Sequence, residues 1–264
     1  MIVLDRCTKY FHRGSVNEVL ALNDLSLEIK DGDFITVIGS NGAGKSTLLN
    51  ALAGSFILDN GSIAIHDQNV TNWPEYRRAK LIARVFQDPL LGTCPSATIE
   101  QNMALALRRG KTRGLGNWIK AGERERFRED LSTIGLGLED RLQDSVGLLS
   151  GGQRQALTML MATLVRPEVL LLDEHIAALD PKTAGQILML TREIVSEQSL
   201  TTLMITHNMK HAIEFGNRLI MLHQGRIILD VDGDAKTTLT VDDLLQQFYR
   251  VQGEELANDS MLLT

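Results

Sequence analysis

Long uninterrupted apolar runs are missing from this sequence, and without one a chain has no helical span of its own in a bilayer, which takes about 18–20 such residues. The richest stretch, Ala156 to Val165, runs into Arg166 and Pro167. Service at a membrane would therefore pass through another chain. Cysteine is scarce as well. Cys7 and Cys94 form no C-x-x-C pair, and Met1 to Tyr10 carries no secretory leader, so neither a disulfide nor a zinc framework is expected and a reducing cytoplasm fits. An excess of positive charge is lacking too. Lys and Arg total 27 against 33 Asp and Glu, a net charge of −6, which gives no global attraction to phosphate polymers and disfavours nucleic acid as the main partner. No internal repeat is present.

What is there has the balance of a globular protein: 44% hydrophobic and 23% charged residues over 264 positions, enough for one large α/β domain or a core with one inserted subdomain. Ile2 to Cys7 and Leu20 to Ile29 alternate as half-buried strands do, which predicts a small antiparallel sheet at the N-terminus. Phe34 to Ile38 is a short β-branched run that ends in Gly39; a glycine-rich loop and the periodic helix Ser46 to Ala53, closed by Gly54, come next. Helices with polar joints are expected at Thr98 to Arg109 and Glu123 to Ile134, with a loop rich in Gly and basic residues, Gly110 to Gly116, between them. From Ser150 onward the α/β alternation resumes: helix to Val165, strand Val169 to Leu172, helix Pro181 to Ser196, strand Thr201 to Ile205, and short strands near Leu219 and Ile227. A single domain over 1–250 is expected, with a helical subdomain inserted at about 89–165 and a frayed tail at 251–264.

The chemistry begins at Gly39-Ser40-Asn41-Gly42-Ala43-Gly44-Lys45-Ser46, followed by Thr47, which fits G-x-x-x-x-G-K-[ST] after a strand and before a helix. Glycines let consecutive backbone N–H groups converge on one anion, and the helix start adds its positive dipole end. Lys45 would reach the β- and γ-phosphates of ATP, and Ser46 would ligate Mg²⁺. The second element is Val169 to Glu174, a buried strand that ends in two carboxylates. The carboxyl ends of parallel strands face the ligand crevice, so Asp173 and Glu174 should emerge beside the cradle; alternation along the strand would point them to different tasks. Asp173 would hold Mg²⁺ through its water shell and Glu174 would orient and deprotonate the attacking water. His207 follows another buried strand on the same rim and is assigned to the γ-phosphate and to holding Glu174. His175 and His211 are expected to be structural.

Leu149-Ser150-Gly151-Gly152-Gln153 opens a long helix. Ser150 with Gln153 three residues on is a capping box. Its glycines add bare backbone N–H groups and an outward dipole, a second phosphate-binding surface. One triphosphate needs one cradle; a two-fold pair, each copy lending Ser150, Gly151, Gly152 and Gln153 to the nucleotide on the other's loop, uses both.

With the cradle, Leu149 to Gln153, the acid pair and His207 in this order, the sequence resembles the nucleotide-binding domain of ABC transporters over nearly its whole length. That resemblance implies a P-loop NTPase core with an N-terminal antiparallel β-subdomain and an inserted α-helical subdomain. It also implies ATP hydrolysis in a head-to-tail homodimer. Gln87 matches the loop that senses Mg²⁺ and the attacking water, and Asp180 the loop through which the copies signal. Phe11 matches the aromatic that stacks on adenine, with Tyr10 as its alternative. Gly92 to Asn102 and Leu172 to Asp180 look like the ATPase of bacterial importers served by a tryptophan- or tyrosine-type substrate-binding lipoprotein. His175 stands where most relatives have proline, as in that subgroup, and Ile176 replaces a usual threonine. The implied partners are an integral-membrane permease at the cytoplasmic face and, through it, an extracytoplasmic substrate-binding protein; the alternatives to import are export and, behind it, an ABC ATPase outside transport. The basic run Arg108, Arg109, Lys111 and Arg113 reads as a solvated loop, with a membrane-facing or permease contact as the alternative.

Overall fold

The computed structural model describes residues 1–111, 119 and 121–262. Two sheets share the main apolar core. The first is antiparallel, with β1 (Ile2–Phe11), β2 (Val19–Ile29), β4 (Asn60–Ile65) and the short β5 (Gln68–Asn69) in the order β2-β1-β4-β5. The second has the order β10-β9-β3-β8-β7-β6, built from β3 (Phe34–Gly39), β6 (Ile82–Val85), β7 (Val169–Asp173), β8 (Thr201–Ile205), β9 (Arg218–His223) and β10 (Arg226–Asp232). β6, β7, β8, β3 and β9 run parallel and only β10 is antiparallel. The parallel strands bear the unbroken apolar runs that burial on both faces demands; Leu170, Leu171 and Leu172 are wholly buried.

Helix α1 (Lys45–Ala53) lies between the sheets, and Leu48, Leu49 and Leu52 pack with Ile35 and Val37 of β3 and Ile63 and Ile65 of β4. The other helices are α2 (Glu75–Arg78), α3 (Ile99–Leu107), α4 (Ala121–Ser132), α5 (Gly151–Thr163), α6 (Pro181–Glu197), α7 (Met209–Glu214), α8 (Gly233–Thr237) and α9 (Val241–Leu262). α3, α4 and the first turns of α5 have a core of their own, in which Ile99, Met103, Phe127, Leu131 and Leu157 meet. Further along α5, Met159 and Ala162 turn instead to the sheet, against Leu170 and Leu172. One helix thus belongs to both cores.

The strands near both termini run longer than their alternation suggested, and β4 and β6 were not anticipated. Gly61, the second residue of β4, has a positive φ that admits the close approach of Arg6 in β1. α9 carries helix into the segment expected to fray, where Glu254, Glu255, Leu256 and Ala257 are good helix formers. The loop Gly110 to Gly116 and Arg113 lie largely outside the described residues. Its neighbours correct the solvated reading: Arg108 donates to the Ala104 carbonyl (2.9 Å), and Arg109 is half-buried and donates to the carbonyls of Ala162 (2.8 Å) and Val165 at the end of α5. Guanidinium groups satisfy the carbonyls a helix leaves unpaired at its C-terminus. No helix among the described residues is long and apolar enough to cross a membrane.

Candidate active site

The carboxyl ends of β3, β6, β7 and β8 lie on one rim, and each is followed by a predicted site element. After β3, the loop Gly39 to Gly44 turns into α1. Gly39 has φ +148, and a Cβ there would stand 2.2 Å from the Leu222 carbonyl oxygen of β9, so only glycine fits. The N-cap of α1 is Gly44, which has no side chain to cap the first free N–H groups. Those donors point from a helix start into a cleft of about 450 Å³ lined by Asn41 to Thr47, Glu174 and the aromatic Phe11. The residues present therefore fit an anionic ligand carrying a planar base. The loop is braced from behind by the β9–β10 turn, where the Gly225 N–H donates to the Ala43 carbonyl (3.0 Å) and the Gly225 carbonyl accepts from Asn23 of β2 (3.0 Å).

Lys45 is buried, its ammonium donating to the carbonyls of Gly39 and Ser40 at 2.9 Å each. Burial holds its pKa below the usual lysine value, against the opposing pull of Glu174 and Asp173. Ser46, on the first turn of α1, and Asp173, at the end of β7, offer hard oxygen donors of the kind Mg²⁺ takes. Among the described residues no group of three or more His, Cys, Asp or Glu could cage a metal, so a divalent ion here would need further oxygens, such as those of a triphosphate.

Glu174 and Asp173 diverge, though not by strand alternation. β7 ends at Asp173, and Glu174 leaves it in a left-handed backbone conformation (φ +47) while its N–H still donates to the Ile205 carbonyl of β8 (3.2 Å). This break in the chain direction turns the carboxylate toward the cleft. Its Oε1 lies 2.5 Å from Nε2 of His207, which follows β8. The Asp173 carboxylate is instead held by Arg84 of β6, Nη2 to Oδ2 at 2.6 Å. Gln87 is exposed just past β6.

His175 is buried, with Nε2 3.1 Å from the Thr191 hydroxyl; that hydroxyl donates to the Ile187 carbonyl and so accepts from the ring. Burial pushes its pKa down to about 4. His211 stacks edge-on against Phe215. Both are packed as structural residues. Phe11 is one wall of the cleft and meets Phe56 edge-on at 5.6 Å, whereas Tyr10 stacks on Arg13 and is not among the cleft walls. His12 and Val19 also line the cleft, and no sequence signal had marked them.

Ser150 caps α5 as its spacing predicts: the Gln153 N–H donates to Oγ and the Ser150 N–H donates to Oε1 of Gln153, both at 3.2 Å. Ser150 and Gly151 are exposed, and none of the four residues from Ser150 to Gln153 lines the cleft of its own chain. Gly152 is buried against α6, where a Cβ would come within 2.2 Å of the Thr183 methyl. Asp180 caps α6 by accepting from the Thr183 N–H (3.1 Å), and hydrogen bonds from the Thr183 hydroxyl and then from its N–H hold its carboxyl below the usual range. The tip of α5 and the Asp180 loop are thus packed together on one exposed edge.

A glycine cradle at a helix start, an acid–histidine pair on the adjacent strand ends and a second bare helix tip outside the cleft are the features of a P-loop nucleoside triphosphatase. The family model described as "ABC transporter" matches residues 22–177. The chain is 48% identical over 225 residues to a tyrosine transport ATP-binding protein of Clostridioides difficile, covering 85% of this chain and 89% of that one. It is 34% identical over 234 residues to an aliphatic sulfonates import ATP-binding protein of Pectobacterium atrosepticum, covering 88% and 78%. Among solved structures, an ATP-binding cassette in a dimeric post-hydrolysis state bound to ADP and Pi superposes with a TM-score of 0.75 at 29% identity, covering 88% of this chain and 98% of that one. The chain belongs to the ABC transporter family; it is an ATP-binding, ATP-hydrolysing subunit.

Proposed function

We propose that this subunit drives import of an aromatic amino acid of the tyrosine type through a separate membrane permease, working as a head-to-tail homodimer at the cytoplasmic face. The observation that carries the dimer is the separation of the two anion surfaces. The helix tip at Ser150 faces solvent away from the cleft that its own chain builds around Lys45. A twin turned through two-fold symmetry brings Ser150 to Gln153 over the γ-phosphate, and the Asp180 loops then meet across the axis. The cargo class rests on the 48% identity to the tyrosine transport ATP-binding protein, together with the likeness of Gly92 to Asn102. A substrate-binding protein outside the membrane would deliver that cargo to the permease.

Within each site, Lys45 and the N–H groups from Asn41 to Thr47 bind the phosphates, and Phe11 stacks on adenine. Ser46, Asp173 and Gln87 would hold Mg²⁺, which when bound offsets charge on the β- and γ-phosphates. Glu174 orients the attacking water and accepts its proton, and His207, 2.5 Å from that carboxylate, keeps it aimed while contacting the γ-phosphate. Coupling to the permease runs through a groove of about 510 Å³ beside Gln87, whose walls include Phe86, Leu91, Leu105 and Arg109. The Phe86 carbonyl accepts from Gln155 of α5 (3.4 Å), so the groove wall and the helix that Ser150 caps are joined. Leu91, exposed in its wall, and the adjacent exposed Leu90 suit an apolar helix end of the permease.

The test is Glu174→Gln. Turnover should fall by at least about 100-fold, the range for loss of a general base, while ATP and Mg²⁺ shift the variant to a dimer on gel filtration. Hydrolysis at the wild-type rate would remove Glu174 from its role.

A further inference from the structure

Arg84 is a charge inside an otherwise apolar strand, Ile82–Val85. Its guanidinium reaches three neighbours. Nη2 donates to Oδ2 of Asp173 and Nη1 to Oδ1 of Asn50 on α1, each at 2.6 Å, and the guanidinium carbon sits 4.7 Å from the centre of the Phe86 ring. The side chains of Arg84 and Asp173 are each only 14% exposed, so the pair is poorly screened. Arg84 also forms part of the groove wall beside Phe86. One guanidinium therefore touches the cradle helix, the carboxylate proposed for Mg²⁺ and the segment that leads into Gln87.

We infer that Arg84 is a positioning residue that serves as the counter-cation of Asp173 in the metal-free site and competes with Mg²⁺ for that carboxylate. The inference rests on the assignment of Asp173 to Mg²⁺. A unit positive charge beside a carboxylate lowers that carboxylate's attraction for a second cation, and the effect is large where water is excluded. Loading of the site weakens the hold of Asp173 on Arg84 and leaves the guanidinium to Asn50 and the Phe86 ring. The occupancy of the nucleotide site is thereby communicated to the groove through a change of partner at one side chain.

The test is a titration of a fluorescent ATP analogue into the wild type, Arg84→Gln and Arg84→Lys, first in EDTA and then with increasing Mg²⁺. Metal-free affinity should agree within about twofold across the three, because Arg84 does not line the nucleotide cleft. The Mg²⁺ concentration for half-maximal tightening should be about tenfold lower in Arg84→Gln and near the wild-type value in Arg84→Lys, which keeps the charge. Should Arg84→Gln fold poorly, Arg84→Met keeps the aliphatic stem over Phe86 and should show the same shift. An unchanged or higher Mg²⁺ requirement in the charge-free variants overturns the inference while leaving the nucleotide site intact. Absence of any Mg²⁺ effect on the wild type would instead remove Asp173 from its assignment, and the inference with it.

Discussion

Arg78→Met should destabilise the protein by about 1–5 kcal/mol, and the structure supplies the arithmetic. Arg78 is 1% exposed and donates from Nη1 to the carbonyls of Ala51 (2.6 Å) and Leu52 (2.8 Å) at the end of α1, from Nε to Trp73 (3.1 Å) and from Nη2 to Thr71 (2.9 Å). Stranding a buried carbonyl costs about 1–2 kcal/mol, so losing all four costs about 4–8 kcal/mol. Against this stands the burial of the charge itself, which pulls the pKa from 12.5 to about 10 and, at about 1.4 kcal/mol per pH unit, offsets about 3 kcal/mol. Arg78→Lys keeps the charge at the negative end of the α1 dipole but cannot reach as many carbonyls, so roughly half the loss is expected. Urea unfolding with the slope held in common between variants measures both changes. A midpoint for Arg78→Met that corresponds to less than about 0.5 kcal/mol would refute the view that this guanidinium anchors the cradle helix.

Other consequences are open to direct measurement. Lys45→Ala removes the ammonium from the cradle and should weaken ATP binding by at least about tenfold in equilibrium titration; unchanged affinity would argue against the phosphate contact. Ser150→Arg should abolish turnover while an isolated subunit still binds ATP, and retained hydrolysis would count against completion of the site by a twin. Burial raises the pKa of Cys7 from 9.0 to about 11, so the folded state holds a proton that the unfolded chain gives up, and stability present below pH 9 is lost as pH rises through 11, by up to about 3 kcal/mol. Cys7→Val should flatten that alkaline decline in unfolding curves; parallel declines for the two proteins would contradict it.

Motifs that close a local geometry were legible in the chain. The cradle, the Ser150 capping box and the Asp180 cap each consist of residues within a few positions of one another, and each is formed as spacing dictates. Features that join distant segments were not. Arg84 finds Asp173 and Arg78 finds Ala51 only after β6 has paired with β7 and α2 has packed beneath α1, and neither arginine stands in a pattern that marks it. The divergence of Asp173 and Glu174 was expected from strand alternation, but it comes from the left-handed turn at Glu174, a backbone state that residue type does not announce. β6 itself, four residues long, is too short for periodicity to reveal.

The brace behind the cradle sets an order of events in synthesis. Gly225 reaches back to Ala43 and Asn23, and Leu222 closes on Gly39, so the loop that grips phosphate receives its backing only after nearly all of the catalytic side chains have been made. A nascent chain that already carries Lys45, Glu174 and His207 still lacks the last wall of its own socket. The socket is therefore complete only once the β9–β10 hairpin has docked behind it.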